Sequence, residues 1–192
     1  MDRTLETGRN RRAITLEEFL SLPETKPSKE YRDGKVTVKA SPKPRHSLLE
    51  GAWSERLNQI ARPRRLGLAF PELRCTFGGR SLVLDVAFLA WNRIPRGPSG
   101  EVEDVLVAAP DLAIEIRSPG QPAARLVEKL RFCVSHGTRL GWLFDARWKK
   151  VTIFRPGIEP VTVAEGSIDA TPVLPGVSFE LAEVFGWLKV PR

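Results

Sequence analysis

Residues 81–91, SLVLDVAFLAW, and residues 111–117, DLAIEIR, decide how this chain folds. The first stretch is apolar along almost its whole length, as in a strand covered on both faces, yet Asp85 stands in its middle. Strands alternate their side chains, so Leu82, Leu84, Val86 and Phe88 are expected on one face and Val83, Asp85 and Ala87 on the other. In the second stretch Leu112, Ile114 and Ile116 oppose Asp111, Ala113, Glu115 and Arg117. If the bulky faces lie together in one sheet, Asp85 and Glu115 emerge from the small-residue face, which becomes a candidate cleft.

Outward from these strands the chain alternates helical and extended patterns. Residues 66–77 are extended and reach 81–91 through the Gly78-Gly79 turn. Before them, Leu48, Leu49, Ala52, Trp53, Leu57 and Ile60 recur at helical spacing from His46 to Ala61, and Pro63 closes that helix. Earlier still, Asp33-Gly34 turns a hairpin over residues 30–39, and Thr15-Leu-Glu-Glu18 is a capping box heading a short helix. Residues 1–12 read as a loose tail. On the other side, Ala123–His136 is helical, residues 140–144 and 151–154 form a strand pair, and LPGVSFELAEVFGWL suggests a closing strand and short helix. With no internal repeat, residues 13–192 read as one α/β domain with mixed strands.

The 192 residues can bury a sizeable core without disulfides or structural metal. Cys75 and Cys133 have no zinc-like spacing, no apolar run approaches bilayer-spanning length, and the start lacks a signal-peptide core, so the chain reads as soluble and cytoplasmic. The net charge of +7 is uneven: +6 over residues 1–65, −2 over 66–122, +6 over 123–155 and −3 over 156–192. Basic flanks around an acidic centre suit a polyanion held at a carboxylate site, or simply a solvated basic surface. Aromatic residues make up 8% with a single tyrosine, which gives no stacking platform pointing to single-stranded RNA.

A buried carboxylate needs a partner. For Asp85 or Glu115 alone a neighbouring arginine would serve, but two acids converging on one spot call for a shared proton or divalent cation, and oxygen donors suit Mg²⁺ or Mn²⁺. Removing their mutual repulsion is expected to raise the melting temperature of the metal-free protein. Arg117 shares Glu115's face. On the following helix Lys129 lies at the edge of the stripe formed by Leu126, Val127, Leu130, Cys133 and Val134, where it either reaches the sheet or snorkels at the rim. Two acids and a lysine are the parts of a metal-dependent phosphodiesterase.

The spacing Asp85…Glu115-Ile116-Arg117 resembles the PD-(D/E)xK nuclease pattern, with arginine in the lysine position. The order TLEEFLSLP, EYRDGKV, SPKPRH, LDVAFL, APDLAIEIRSP, EKLRFCVSHGTRLGWLFD and LPGVSFELAEVF, from about Thr15 to Phe185, is similar to that of the Uma-two family of restriction-endonuclease-like proteins. The resemblance implies a restriction-endonuclease-like mixed β-sheet flanked by helices, and a homodimeric Mg²⁺-dependent enzyme hydrolysing phosphodiester bonds in DNA, most naturally duplex DNA. It makes Asp85 and Glu115 the metal-binding acids, Glu30 an additional acid, and Lys129 the catalytic lysine, moved to the helix from the position Arg117 occupies. His46 would touch a phosphate or finish its helix. The chain departs from the family pattern at Leu84, Arg125, Cys133 and Gly141, and Arg125 reverses a charge near Lys129. Two other readings stay open: a nucleic-acid-binding member without turnover, and a metal-free hydrolase using Asp85 and Glu115 as an acid/base pair.

Overall fold

The computed structural model describes residues 13–190, so the reading of residues 1–12 as a loose tail lies outside the described residues. Ten strands and four α-helices follow in the order α1 (Leu16–Leu20), β1 (Lys29–Arg32), β2 (Lys35–Val38), α2 (Pro44–Ala61), β3 (Gly67–Phe77), β4 (Arg80–Ala90), β5 (Leu112–Arg117), α3 (Ala123–Ser135), β6 (Leu140–Asp145), β7 (Lys150–Arg155), β8 (Ile158–Val163), β9 (Ser167–Asp169), β10 (Ser178–Glu180) and α4 (Leu181–Gly186). The main sheet has eight strands in the order β2-β1-β4-β5-β6-β7-β8, with β3 also paired to β4. Its one parallel ladder, β5 with β6, is the pair joined by the α3 crossover; the rest are antiparallel. This is the mixed sheet flanked by helices that the sequence implied.

Each face of the sheet is covered by one long helix. Trp53 of α2 lies within 5.3 Å, ring centre to ring centre, of Trp142, Phe144, Phe179 and Trp187, and this cluster closes one side of the core. On the other side Leu126, Leu130 and Cys133 of α3 pack with Cys75, Leu82, Leu84, Ala87, Ala113 and Leu143. The stripe on α2 is shifted from the expected one: Leu48 is exposed, while His46, Glu50 and Ser54 are buried beside Leu49, Trp53, Leu57 and Ala61. Polar residues therefore occupy a buried arc of the helix over its first turns.

Strand β4 departs from simple alternation. Val86 and Phe88 pack with the α2 layer, as expected for a shared face, but Leu82 and Leu84 pack with the α3 layer. The change falls at Asp85. Opposite it, Glu72 takes a left-handed φ of 47°, and the ladder passes from Pro71↔Val86 to Leu73↔Leu84 without pairing Glu72 to Asp85. A local irregularity of this kind re-aims side chains along a long strand.

Strand β8 and the β9–β10 pair complete the fold. β8 carries Pro160 and exposes Ile158 and Val161, so it lacks the apolar alternation of an inner strand. Its legible signal is the Pro156-Gly157 turn, where Gly157 adopts φ 72°. At the start, the Thr15 hydroxyl accepts the Glu18 N–H at 3.1 Å and the Glu18 carboxylate accepts the Thr15 N–H at 2.7 Å. Thr15→Ala is expected to lower stability by about 1 kcal/mol, read as a shift in the urea midpoint at unchanged slope; an unchanged midpoint would mean that this helix adds nothing to the cooperative unit.

Candidate active site

The site is a gap in the sheet. Strands β1 and β5 both pair to the edge of β4 opposite β3, β1 through Tyr31↔Ser81 and β5 through Val86↔Ile114 to Phe88↔Leu112. Between them residues 82–85 have no strand partner on that edge, and buried backbone groups there need others. Side chains provide them. The Val83 N–H donates to Glu30 Oε1 at 3.1 Å, the Val83 carbonyl accepts from Lys129 Nζ at 2.8 Å, and the Ile116 N–H donates to Asp85 Oδ2 at 2.6 Å. The β4–β5 ladder stops one pair short of Asp85 and Glu115, and the two strands part where these carboxylates begin.

Five residues singled out in the sequence, Glu30, His46, Asp85, Glu115 and Lys129, meet in this gap. Lys129 Nζ lies 2.6 Å from Glu30 Oε1 and 2.6 Å from Glu115 Oε1. Rather than snorkelling at the rim, Lys129 is only 2% exposed. His46 Nε2 contacts Asp85 Oδ2 at 3.0 Å, with Glu50 at 3.5 Å from its other nitrogen. Histidine thus touches a carboxylate directly, a contact the sequence did not indicate, and it also lines the cavity over the gap. Arg117 lies apart: its guanidinium binds Asp145 Oδ2 at 2.7 Å and the Gln121 carbonyl at 2.9 Å.

Charges in the gap compensate one another. Burial opposes ionisation of Glu30, yet the Lys129 charge and hydrogen bond, with Arg32 and the Val83 N–H, hold it down to about 2. Burial also opposes ionisation of Asp85, which His46 and Lys39 nevertheless keep well below the usual carboxylate range. Glu115 goes the other way. Its burial, together with the nearby Asp85 and Glu30 charges, outweighs Lys129 and lifts it to about 7. Burial would lower His46, but its bonds to Asp85 and Glu50 raise it to about 9, so it is protonated at neutral pH.

Lys39 was not singled out by the sequence. Its ammonium bridges Asp85 Oδ1 at 2.7 Å and Glu72 Oε1 at 2.8 Å, and Arg32 approaches Glu30 at 3.3 Å. Both follow from the β1–β2 hairpin docking beside β4, and the only local sign for Lys39 was its place at the end of the alternating stretch Lys35-Val-Thr-Val-Lys39. Cys75 and Cys133 are free and buried, and burial pushes the Cys75 thiol up to about 12, which leaves no thiol nucleophile here. A Cβ at Gly141 would meet the Phe154 side chain at 3.3 Å and Leu130 at 3.4 Å, a tight fit that a larger residue would have to widen.

A cavity of about 490 Å³ opens over the gap, with Asp85, Glu115 and Lys129 in its lining and Arg32, Lys39, Lys43 and Arg125 around them. Among the described residues no cage of three or more histidine, cysteine, aspartate or glutamate side chains is set for a metal. Mg²⁺ asks for less, since one or two carboxylates and several waters suffice. Asp85 Oδ1 and Glu115 Oε1 fit that demand. Both are buried and each is held by a single lysine ammonium, Lys39 at 2.7 Å and Lys129 at 2.6 Å, so a bound ion would share these oxygens with the lysines or displace them.

A family model, Uma2, described as "Putative restriction endonuclease", matches residues 16–182. Among solved structures, a chain described as a "putative nuclease belonging to DUF820" from Anabaena variabilis ATCC 29413 is 36% identical and superposes with a TM-score of 0.88, over 92% of this chain and 99% of that one. No curated protein matches.

Proposed function

This chain belongs to the Uma2 family, and from that premise we propose that it is a Mg²⁺-dependent endonuclease hydrolysing phosphodiester bonds in DNA. The observation that carries the reading is the sheet gap, where Asp85, Glu115, Glu30 and Lys129 converge, almost wholly buried, under a cavity edged by cations. Asp85 and Glu115 would hold Mg²⁺, or Mn²⁺ in its place. The bound ion supplies an acidified water and a polarised phosphoryl oxygen. Everything else falls to the chain.

Lys129 offers its ammonium to the charge that builds on the phosphoryl oxygens in the transition state. Glu30 and the Val83 carbonyl aim it, so the catalytic lysine comes from α3 while the strand position holds Arg117. Protonated His46 fixes the rotamer of Asp85 through Oδ2 and turns Oδ1, which Lys39 holds at 2.7 Å, toward the cavity where the ion would bind. Arg32, Lys39, Lys43 and Arg125 line the approach of a phosphate backbone. This reading includes action on duplex DNA as a homodimer in the cytoplasm. No helix among the described residues is long and apolar enough to cross a membrane.

The experiment is cleavage of plasmid DNA in Mg²⁺, in Mn²⁺ and in EDTA. Nicking that needs the metal supports the reading. Nicking that persists in EDTA favours the metal-free carboxylate pair, and binding without nicking favours the member without turnover. Binding itself is expected to weaken steeply with salt, by about 10³-fold between about 50 and 200 mM if about six phosphates are contacted. An affinity indifferent to salt, followed by fluorescence anisotropy, would make the basic flanks a solubility feature.

A further inference from the structure

A second cavity of about 450 Å³ adjoins the first and shares with it Lys43, His46 and the segment of residues 118–120. Its far wall is the turn between β6 and β7, which carries Arg147 and Trp148. Among the described residues, Trp148 is the one aromatic side chain in the set of exposed large hydrophobics, at 60%. The Arg147 guanidinium carbon lies 5.2 Å from the centre of its ring. An indole left in water on a surface forgoes the burial that the other aromatic residues gain, and here the backbone beneath it is fixed. Asp145, itself buried, accepts the N–H groups of Arg147 and Trp148 at 3.1 and 3.2 Å, and Arg117 clamps its other oxygen at 2.7 Å. The turn is held from below while the ring is presented above.

The cavity thus joins a flat aromatic face to the cations Lys43, Arg45 and Arg147, next to the carboxylate gap. That is the chemistry of a nucleotide: a base to stack on indole, and phosphate to meet the cations. A paired base inside a helix offers no free face. Resting on the nuclease reading, we propose that this cavity is a subsite for an unpaired base of a DNA strand lying beside the phosphate to be cut, and that the preferred substrate carries an unpaired nucleotide at that place. Arg117 and Asp145 then position the subsite, and Trp148 is its contact.

The test compares two DNA duplexes, one fully paired and one with a single unpaired 2-aminopurine nucleotide, bound to the full chain in EDTA so that neither is cut. The unpaired duplex is expected to bind about ten- to a hundredfold more tightly, with its 2-aminopurine emission quenched by stacking. Trp148→Ala should lose the preference and the quenching, and Trp148→Phe should keep most of both. Equal affinity of the parent for the two duplexes, or a preference that survives Trp148→Ala, overturns the subsite. Should fully paired DNA still be bound and cut in Mg²⁺, that result leaves the nuclease reading standing. If neither duplex binds and neither is cut in Mg²⁺, both readings fall.

Discussion

Asp85→Asn is expected to abolish DNA cleavage, by about 10³-fold or more, and to weaken Mn²⁺ binding in calorimetry. One oxygen of Asp85 is committed to His46 and the Ile116 N–H, and the other faces Lys39 and the cavity. An amide keeps the shape but loses the charge and turns one acceptor into a donor, so cleavage and metal binding are compared on a variant shown to be folded by circular dichroism. Mn²⁺ affinity equal to the parent's would remove Asp85 from the metal site. The stability effect should run opposite to the one suggested by the sequence. Read from the sequence, two acids side by side in strands repel, and neutralising one stabilises the metal-free protein. In the structure Lys39, Lys129 and His46 already surround them. Removing the Asp85 charge leaves buried cations short of a partner, which costs about 3–5 kcal/mol when a buried pair is broken. Partial shedding of the His46 proton and the remaining contact of Lys39 with Glu72 reduce that figure. A lower melting temperature is the expected result.

The strands and helices that build the gap were legible because each is long and strongly patterned. The apolar run holding Asp85, the capping box at Thr15, the Asp33-Gly34 turn and the stripe on α3 all follow from local chemistry. The convergence of Asp85 and Glu115 was legible too, since an acid inside each of two buried strands demands a reason. What local chemistry does not carry is where a strand loses its neighbour. Residues 82–85 have an open edge only because β1 and β5 approach β4 from the same side and stop short of each other. From that gap come the burial of Lys129 and the reach of Lys39 into Asp85, while the reversal of faces along β4 goes with the irregularity at Glu72 on its other edge. Strand β8 escaped for a different reason: an exposed edge strand with a proline has little pattern to read.

Lys129→Ala, by contrast with Arg117→Ala, is expected to lower turnover about 10²-fold or more while DNA binding changes little. The two cations are rivals by sequence, since Arg117 sits at the strand position of the nuclease pattern and Lys129 follows on the next helix, α3. Geometry separates them. Lys129 Nζ stands 2.6 Å from Glu115 and donates to the Val83 carbonyl, whereas Arg117 is bound to Asp145 and the Gln121 carbonyl outside the gap. A guanidinium forked between two fixed acceptors keeps its charge and its place. A compact ammonium between two carboxylates can follow a phosphate that carries charge into the gap. Alanine at position 129 also leaves Glu30 and Glu115 without their shared cation, a loss of about 3–5 kcal/mol for a buried pair, so folding must be checked by circular dichroism at the assay temperature. Lys129→Met keeps the stem of the side chain and its packing, and separates the loss of charge from the loss of volume. If either folded variant cleaves at the parent's rate in Mn²⁺ while folded Arg117→Ala is inactive at saturating DNA, the catalytic cation is on the strand. If both Lys129 variants are folded and inactive while Arg117→Ala turns over, the cation has moved to the helix and the carboxylate gap is the place where phosphate is cut.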